Sequence, residues 1–383
     1  MIKKSSLPNY FSPKRVLPLL TFSILFASDS DPHFQNFDNF INKALKTSKI
    51  AGMGLSIISS DAILFKKAYG YSDIQSKEKF TLNTIMNIAS ISKTTIGVAV
   101  TYLVEKGLIN LDDNVNNLIP FHIENPHSKK SVITLRNLMS HCSGIIDRQE
   151  VYLSEYHYGK DSPVNLGFFL ENYLSKDGKY YSHENFSKQK LEREFLYSNI
   201  GSALAAYIVE IISGQPFNVF TKQIIFNNIQ MTNSYWFLSN KKKSRHTKLY
   251  SYDSKQKMLD EIEPYGLTTY PDGGLRSSVN DITKYFQYFI DSKFSTREKI
   301  ISDKGIEKMF SADYFDFYSN FWNIGETIGH GGGDPGVSTG MYFKKEIGIG
   351  YVFMINTSEF LEIEHFEETI IDFGKYLKNL SSK

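Results

Sequence analysis

Cysteine is almost missing from this 383-residue chain: Cys142 is the only one. No internal disulfide can form, so the fold must rest on burial of its core. A lone thiol of this kind reads first as a small buried side chain, with a reactive thiol as the alternative. An excess of either charge is missing too. Lys and Arg number 43 against 41 Asp and Glu, for a formal charge of +2. With no basic stripe interleaved with aromatics, there is no electrostatic case for a nucleic-acid partner. The short run Lys241 to Lys243 reads as a solvated loop. The nine histidines include no His-Glu-x-x-His and no close His/Asp/Glu cluster, so neither a metal nor a cofactor is implied. No apolar run reaches the roughly 20 residues that a membrane-crossing helix needs, and neither an internal repeat nor a low-complexity tract is evident.

What is present is ordinary for a folded protein: 41% hydrophobic and 22% charged residues, in a chain long enough for one large domain or two lobes sharing a cleft. Lys3, Lys4, Lys14 and Arg15 precede an apolar stretch from Val16 to Ala27, and small residues follow. That pattern is the signature of a signal peptide. Residues 1–28 are therefore expected to direct export to the periplasm or outside the cell; an uncleaved anchor or a buried N-terminal segment is the alternative.

The remaining chain, 29–383, reads as one domain. Asp31-Pro32 offers a helix cap followed by proline at the first helical position, with Phe37, Phe40, Ile41, Ala44 and Leu45 on one face. Met53 to Ser59 and Ile63 to Tyr69 predict a hairpin turning at Ser60-Asp61. A helix is expected from Ser90 to Lys106, ended by Gly107. Residues 111–262 predict mainly helices and loops, including an apolar face of Leu204, Ile208, Ile211 and Ile212 closed by Gly214. The stretch 146–195 is polar, rich in aromatics and without clear period. Strands return at Met341 to Phe343 and Ile347 to Ile355, and a last helix carries Phe366, Ile370, Phe373 and Leu377 on one face. Segments 29–110 and 263–383 then form a sheet-containing lobe, with 111–262 inserted, and the terminal strands should be neighbours in one sheet.

Ser90 and Lys93 stand three residues apart at a helix start, which places the two side chains on one face. A serine hydroxyl needs a proton acceptor to become a nucleophile, and an amine of lowered pKa can serve. Ser76/Lys79, Ser239/Lys242 and Ser254/Lys257 repeat the spacing, but in polar, turn-like stretches. Tyr197-Ser198-Asn199 supplies a proton-shuttling phenol and an amide for a substrate carbonyl; Tyr318-Ser319-Asn320 is a second copy. His330-Gly331-Gly332-Gly333, just ahead of the last strands, would let a substrate approach a strand edge. Gly336-Val337-Ser338-Thr339-Gly340 matches a Gly-x-Ser-x-Gly elbow, but strand-like rather than helical sequence follows the serine. Arg276 either reaches the pocket or lies on the surface. His141 reads as a hydrogen-bonded structural residue.

This ordered set resembles the serine β-lactamase and penicillin-binding protein family, in its class C β-lactamase-like branch of D-alanyl-D-alanine carboxypeptidases, D-aminopeptidases and esterases. The resemblance runs from about residue 40 to 375. It also takes in Gly70-Tyr71, Leu111-Asp112-Asp113, Ile133 to Leu138, His141-Cys142-Ser143-Gly144 and Gly273-Gly274-Leu275 with Ser277-Ser278. It implies an α/β fold in which an antiparallel sheet is flanked by N- and C-terminal helices around a mainly helical insertion. It also implies an acyl-enzyme on Ser90, with protons managed by Lys93 and Tyr197. Asn199, His330, Gly331 and Gly332 would contact the substrate, and the backbone N–H groups of Ser90 and Gly333 would form the oxyanion hole. The expected substrate is a small ester, amide or short peptide, peptidoglycan-type D-amino acid peptides included. A weak β-lactamase or a non-catalytic penicillin-binding sensor or scaffold is the alternative. Two positions depart from the family: His330 replaces a lysine, and Gly331 a threonine or serine. Both weaken recognition of a substrate carboxylate. Phe186 to Phe195 also lacks the family's proline-glycine turn, so the lip of the pocket is expected to differ. Oligomeric state is not set by these features.

Overall fold

The structure, a computed structural model, describes residues 31–240, 245–291, 299–358 and 363–381. The leader-like residues 1–28 and the run Lys241 to Lys243 lie outside them.

Helix α1 (Pro32–Thr47) starts as its residues dictate: the His33 N–H donates to Asp31 Oδ1 at 2.8 Å, and proline occupies the first turn, where it costs no hydrogen bond. The hairpin β1 (Gly52–Ser59) and β2 (Ile63–Asp73) follows, and the short β3 (Glu78–Lys79) extends it. The chain returns to this sheet only near its end, with β4 (Tyr318–Ser319), β5 (Trp322–Asn323), β6 (Thr327–Asp334), β7 (Val337–Lys344) and β8 (Ile349–Ile355). The eight strands lie in the order β4-β5-β6-β7-β8-β1-β2-β3, all neighbours antiparallel. The two ends of the chain meet where β8 pairs with β1, from Met53 opposite Ile355 to Ser59 opposite Ile349.

Alternation along these strands sorts their side chains to two faces. Met53, Leu55, Ile57, Tyr351, Phe353 and Ile355 pack with Phe37 and Ile41 of α1 and with Phe366, Ile370, Phe373 and Leu377 of the last helix, α6 (Phe366–Ser381). The Phe37 and Phe373 rings stack with centroids 4.2 Å apart. Val352 and Met354 turn to the other face, into the core shared with α2 (Ser92–Glu105) and α5 (Val279–Ile290). Gly54 is required here: a side chain on it would collide with Val279, so its absence sets how near α5 lies to the sheet.

Between the two sheet segments, α3 (Leu135–Met139) carries a reciprocal Thr134/Asn137 capping box, and α4 (Asn199–Ser213) ends at Gly214, whose φ of 68° is the left-handed closing conformation. The aperiodic stretch 146–195 folds as two short helices, Gln149–Ser154 and Leu166–Leu174, and one strand. That strand, Tyr156–Tyr158, pairs with Tyr265–Leu267, about a hundred residues away. Two expectations change. The β7–β8 hairpin begins earlier than read, at Val337. The His330 to Gly333 segment lies not ahead of the strands but in the body of β6, paired with β7 throughout. No single described helix is long and apolar enough to cross a bilayer.

Candidate active site

Ser90 sits in the middle of a tight 3-10 turn, Ala89–Ile91, that leads directly into α2. Ala89 takes a φ of 47°, a costly conformation for a residue with a side chain. The turn is held on both sides: the Ile88 N–H donates to Leu275 O at 2.9 Å, and Thr339 Oγ1 donates to Ile88 O at 2.9 Å. Lys93, one turn on, has no solvent exposure. Its Nζ donates to Ser90 Oγ at 3.0 Å and to the Asp272 carbonyl at 2.7 Å, and lies 5.0 Å from the Tyr197 ring centre. Burial pushes this amine down, but Tyr197 and the Asp272 carboxylate outweigh it and hold Lys93 above its ordinary value. The surroundings thus raise this amine rather than lowering it as an acceptor of the Ser90 proton would need.

Tyr197 and Asn199 are delivered by the start of α4. Ser198 caps that helix, accepting from the Gly201 N–H at 2.9 Å, and its hydroxyl donates to Asp147 Oδ1 at 2.7 Å. Asp147 also accepts from the N–H groups of Asn199, at 2.6 Å, and Ile200, at 3.1 Å. A carboxylate at a helix start is well placed against free N–H groups and the helix dipole, although its burial still raises its pKa. Asn199 is half-buried and its side-chain amide makes no hydrogen bond within the described residues, while Tyr197 keeps 40% exposure. Both therefore face space that a substrate can occupy.

His141 is structural, as read. Its Nδ1 accepts from the Ser198 N–H at 3.1 Å, and its ring lies 4.2 Å from that of Tyr197. Burial and the nearby Lys93 drive its pKa well down. The second Tyr-x-Asn copy is used differently. Tyr318 is buried in β4, and its hydroxyl lies 3.0 Å from His330 Nε2. The other ring nitrogen of His330 is 2.5 Å from the Gly331 carbonyl, so Nδ1 carries the proton and Nε2 accepts from Tyr318. Asn320 spends its amide on Met309 O and Ser319 Oγ.

The expectation that His330 contacts substrate therefore meets a different geometry. Both its nitrogens are taken, it is buried, and burial pushes its pKa down to about 4. Gly332 is where β6 closes on the turn that carries Ser90: a Cβ there would lie 2.6 Å from Ile88 O and 3.0 Å from Ala89 Cβ. Around Gly333 there is open space. Gly331 points to the opposite side of the strand, where a side chain would meet the Tyr342 hydroxyl. The missing hydroxyl at 331 consequently does not shape this pocket.

Two other readings are corrected or closed. Arg276 is neither in the pocket nor on the surface; it is fully buried and donates to the carbonyls of Trp236, Gly274 and Tyr265. Ser338 lies within β7 opposite Gly333, with its hydroxyl on Thr357 O at 3.0 Å, which removes the Gly-x-Ser-x-Gly elbow.

Sequence reasoning missed the acidic side of the site. Asp272 is fully buried, accepts from the Tyr152 hydroxyl at 3.1 Å, and leaves Oδ2 without a partner. Asp334, half-buried at the end of β6, accepts from the Tyr156 hydroxyl at 2.7 Å. Burial pushes Asp272 up to about 7 and Asp334 up to about 6, with Lys93 acting against both shifts. Their adjacency to Gly273 and Gly333 in the chain was the available signal. Among the described residues no group of His, Cys, Asp and Glu is arranged to hold a metal ion. A surface cavity of about 590 Å³ lined by Lys46, Lys49, Ile74 and Met258 includes none of the residues around Ser90.

Comparison with known proteins finds matches over most of the chain. The beta-lactamase family profile matches residues 37–372. Penicillin-binding protein 4* of Bacillus subtilis (strain 168) is 25% identical over 319 residues, 79% of this chain and 67% of that protein. The octameric penicillin-binding protein homologue from Pyrococcus abyssi superposes with a TM-score of 0.68 at 25% identity, covering 91% of this chain and 77% of its own. EstCE1, a hydrolase with promiscuous acyltransferase activity, gives a TM-score of 0.69 at 15% identity over 90% of this chain and 98% of its own, a likeness of fold.

Proposed function

The chain belongs to the beta-lactamase family, and on that premise we propose that it hydrolyses esters or amides through an acyl-enzyme on Ser90. The observation that carries this reading is the 3.0 Å bond from Lys93 Nζ to Ser90 Oγ, made by a fully buried amine anchored on the Asp272 carbonyl. A buried ammonium held against a hydroxyl favours the alkoxide that forms as the serine attacks. Lys93 and Tyr197 handle the protons together: the contacts of Lys93 hold its amine above its ordinary value, so Tyr197 is assigned to take the proton of Ser90 as its oxygen attacks the carbonyl and to return it to the leaving group. Water then attacks the acyl-enzyme with Tyr197 as base again. The N–H groups of Ser90 and Gly333 are assigned to the developing oxyanion, and Asn199, with its free amide, to the substrate carbonyl or amide. Gly332 gives the close strand approach, whereas His330 acts through Tyr318 as a positioning residue. The signal-peptide pattern of residues 1–28 supports export of this activity from the cytoplasm.

Labelling tests the reading. Protein treated with a fluorophosphonate or a fluorescent penicillin is expected to carry the adduct on the peptide containing Ser90, with Ser90→Ala unlabelled. An adduct on Ser338 overturns the assignment. Stable acylation with no turnover of any ester, amide or β-lactam points instead to a sensor.

A further inference from the structure

We infer that His141 is the positioning residue of Tyr197: it fixes the backbone on both sides of that tyrosine and backs its ring, so that the phenol stays against Lys93. The inference rests on the acyl-enzyme reading and adds to it the residue that keeps the proton shuttle in place. His141 lies just past the end of α3. Its N–H donates to Leu138 O at 3.2 Å, and the Cys142 N–H donates to Asn137 O at 2.9 Å. This pair of bonds is a Schellman closure, in which the first residue beyond the helix cap turns left-handed and is usually glycine. Here that residue is His141, with a φ of 52°. Glycine would close α3 with less strain, so helix closure does not account for an imidazole at this position.

What His141 reaches is the segment that carries Tyr197. The Leu196 N–H donates to His141 O at 2.7 Å, and the Ser198 N–H donates to His141 Nδ1 at 3.1 Å. Both residues flanking the tyrosine are therefore tied to this one residue. Asp147 holds the Ser198 hydroxyl and the N–H groups of Asn199 and Ile200, which belong to the helix start beyond it. The imidazole ring adds a third contact, its centre 4.2 Å from that of Tyr197. Lys93 Nζ stands 5.0 Å from the same tyrosine ring. A side chain that keeps 40% exposure has room to swing, and these contacts oppose it. The other ring nitrogen gives an independent sign. With Nδ1 accepting, Nε2 carries the proton, yet it is buried and has no hydrogen-bond partner among the described residues. The rings of Tyr197, Tyr318, Phe195 and Phe321 surround the imidazole. A left-handed backbone and an orphan buried donor are two local costs at one residue. Neither is needed to end α3, and both follow from placing an imidazole against Tyr197.

The test measures kcat and KM for phenyl acetate in the full chain, with and without Tyr197→Phe. His141→Gly keeps the helix closure and removes the imidazole. It is expected to lower kcat about 100-fold, the scale of a misplaced reacting group, with KM within about threefold of the parent. In the Tyr197→Phe background the same exchange is expected to change kcat by less than about twofold, because residues that act as a unit do not add. His141→Asn tolerates the left-handed backbone and offers an acceptor to the Ser198 N–H. It is expected to recover about tenfold of the lost kcat, and it carries the double-mutant cycle if His141→Gly does not fold. A purely structural His141 would lower kcat by the same factor in both backgrounds, and that result overturns the inference. A His141→Gly protein that keeps its kcat, or changes only in KM, overturns it as well. In both cases, with Ser90 of the parent still labelled by the fluorophosphonate, the hydrolase reading stands. A parent protein with neither Ser90 labelling nor any ester turnover overturns both.

Discussion

Lys93 is a cation sealed from solvent whose bonds decide what its neighbours do. On the acyl-enzyme reading, an amine held above its ordinary value leaves the proton of Ser90 to Tyr197. Lys93→Ala and Tyr197→Phe are both expected to lower kcat by about 100-fold or more, the range for lost acid–base assistance. Tyr318→Phe, which touches His330 and not Lys93, should cost far less; the reverse order in measured kcat would show that the other tyrosine is the shuttle. Asp272 gives a pH signature in stability. Its folded-state pKa of about 7 lies above the usual carboxylate value of about 4. The folded chain thus keeps a proton that the unfolded chain has released. The stability this contributes is complete below about pH 4 and is lost as pH rises through about 7. Asp272→Asn should therefore melt higher than the parent at pH 8, by about 3 °C or more, with the gap shrinking towards pH 5. Parallel melting profiles across that range would refute the argument. None of this was legible from residue spacing: Ser90 and Lys93 are one turn apart, but Asp272 arrives from 179 positions downstream.

At the scale of elements, the parts read best were those whose signals are local. Asp31-Pro32 marks a helix start whatever the rest of the chain does, and Gly214 marks an end. The 3.6-residue spacing of Phe366, Ile370, Phe373 and Leu377 likewise predicts one buried face, and all four are buried. That face covers the junction of the first and last strands, so it holds the two ends of the chain together. Phe373→Ala, which deletes a ring stacked on Phe37, should cost about 3–5 kcal/mol, read by denaturant titration; a loss below about 1 kcal/mol would mean that the site collapses around the gap. The glycine run of β6 was misplaced because glycine carries no strand signature of its own. Its extended form comes from pairing with β7 along the whole segment. The stretch 146–195 hid its strand for a related reason, since Tyr156–Tyr158 has meaning only beside Tyr265–Leu267.

Over the whole molecule, the pocket combines a His330 whose pKa burial pushes down, one amine already committed to Ser90, and two acidic side chains, Asp272 buried and Asp334 half-buried. A β-lactam or D-alanine tail brings a carboxylate into that field without the cationic partner that lysine provides in the family. Loss of one charge-assisted hydrogen bond costs about 1.5–3 kcal/mol, so simple esters and amino-acid amides should have higher kcat/KM than cephalosporins. A cephalosporin exceeding every ester and amide tested would refute this. His330→Lys alone is the informative exchange, because residue 331 faces the other side of the sheet. By itself the sequence determined the pairing of Ser90 with Lys93, the helix starts and stops, and the meeting of terminal strands in one sheet, because caps, periods and short spacings act within a few residues. Only the tertiary structure decided that Lys93 is held above its ordinary value, that Tyr197 rather than Tyr318 faces it, that His330 is spent on Tyr318, and that Asp272 and Asp334 lie beside it. Each of those depends on burial and on partners brought from distant parts of the chain, and a buried charge has no signature until the groups around it are in place.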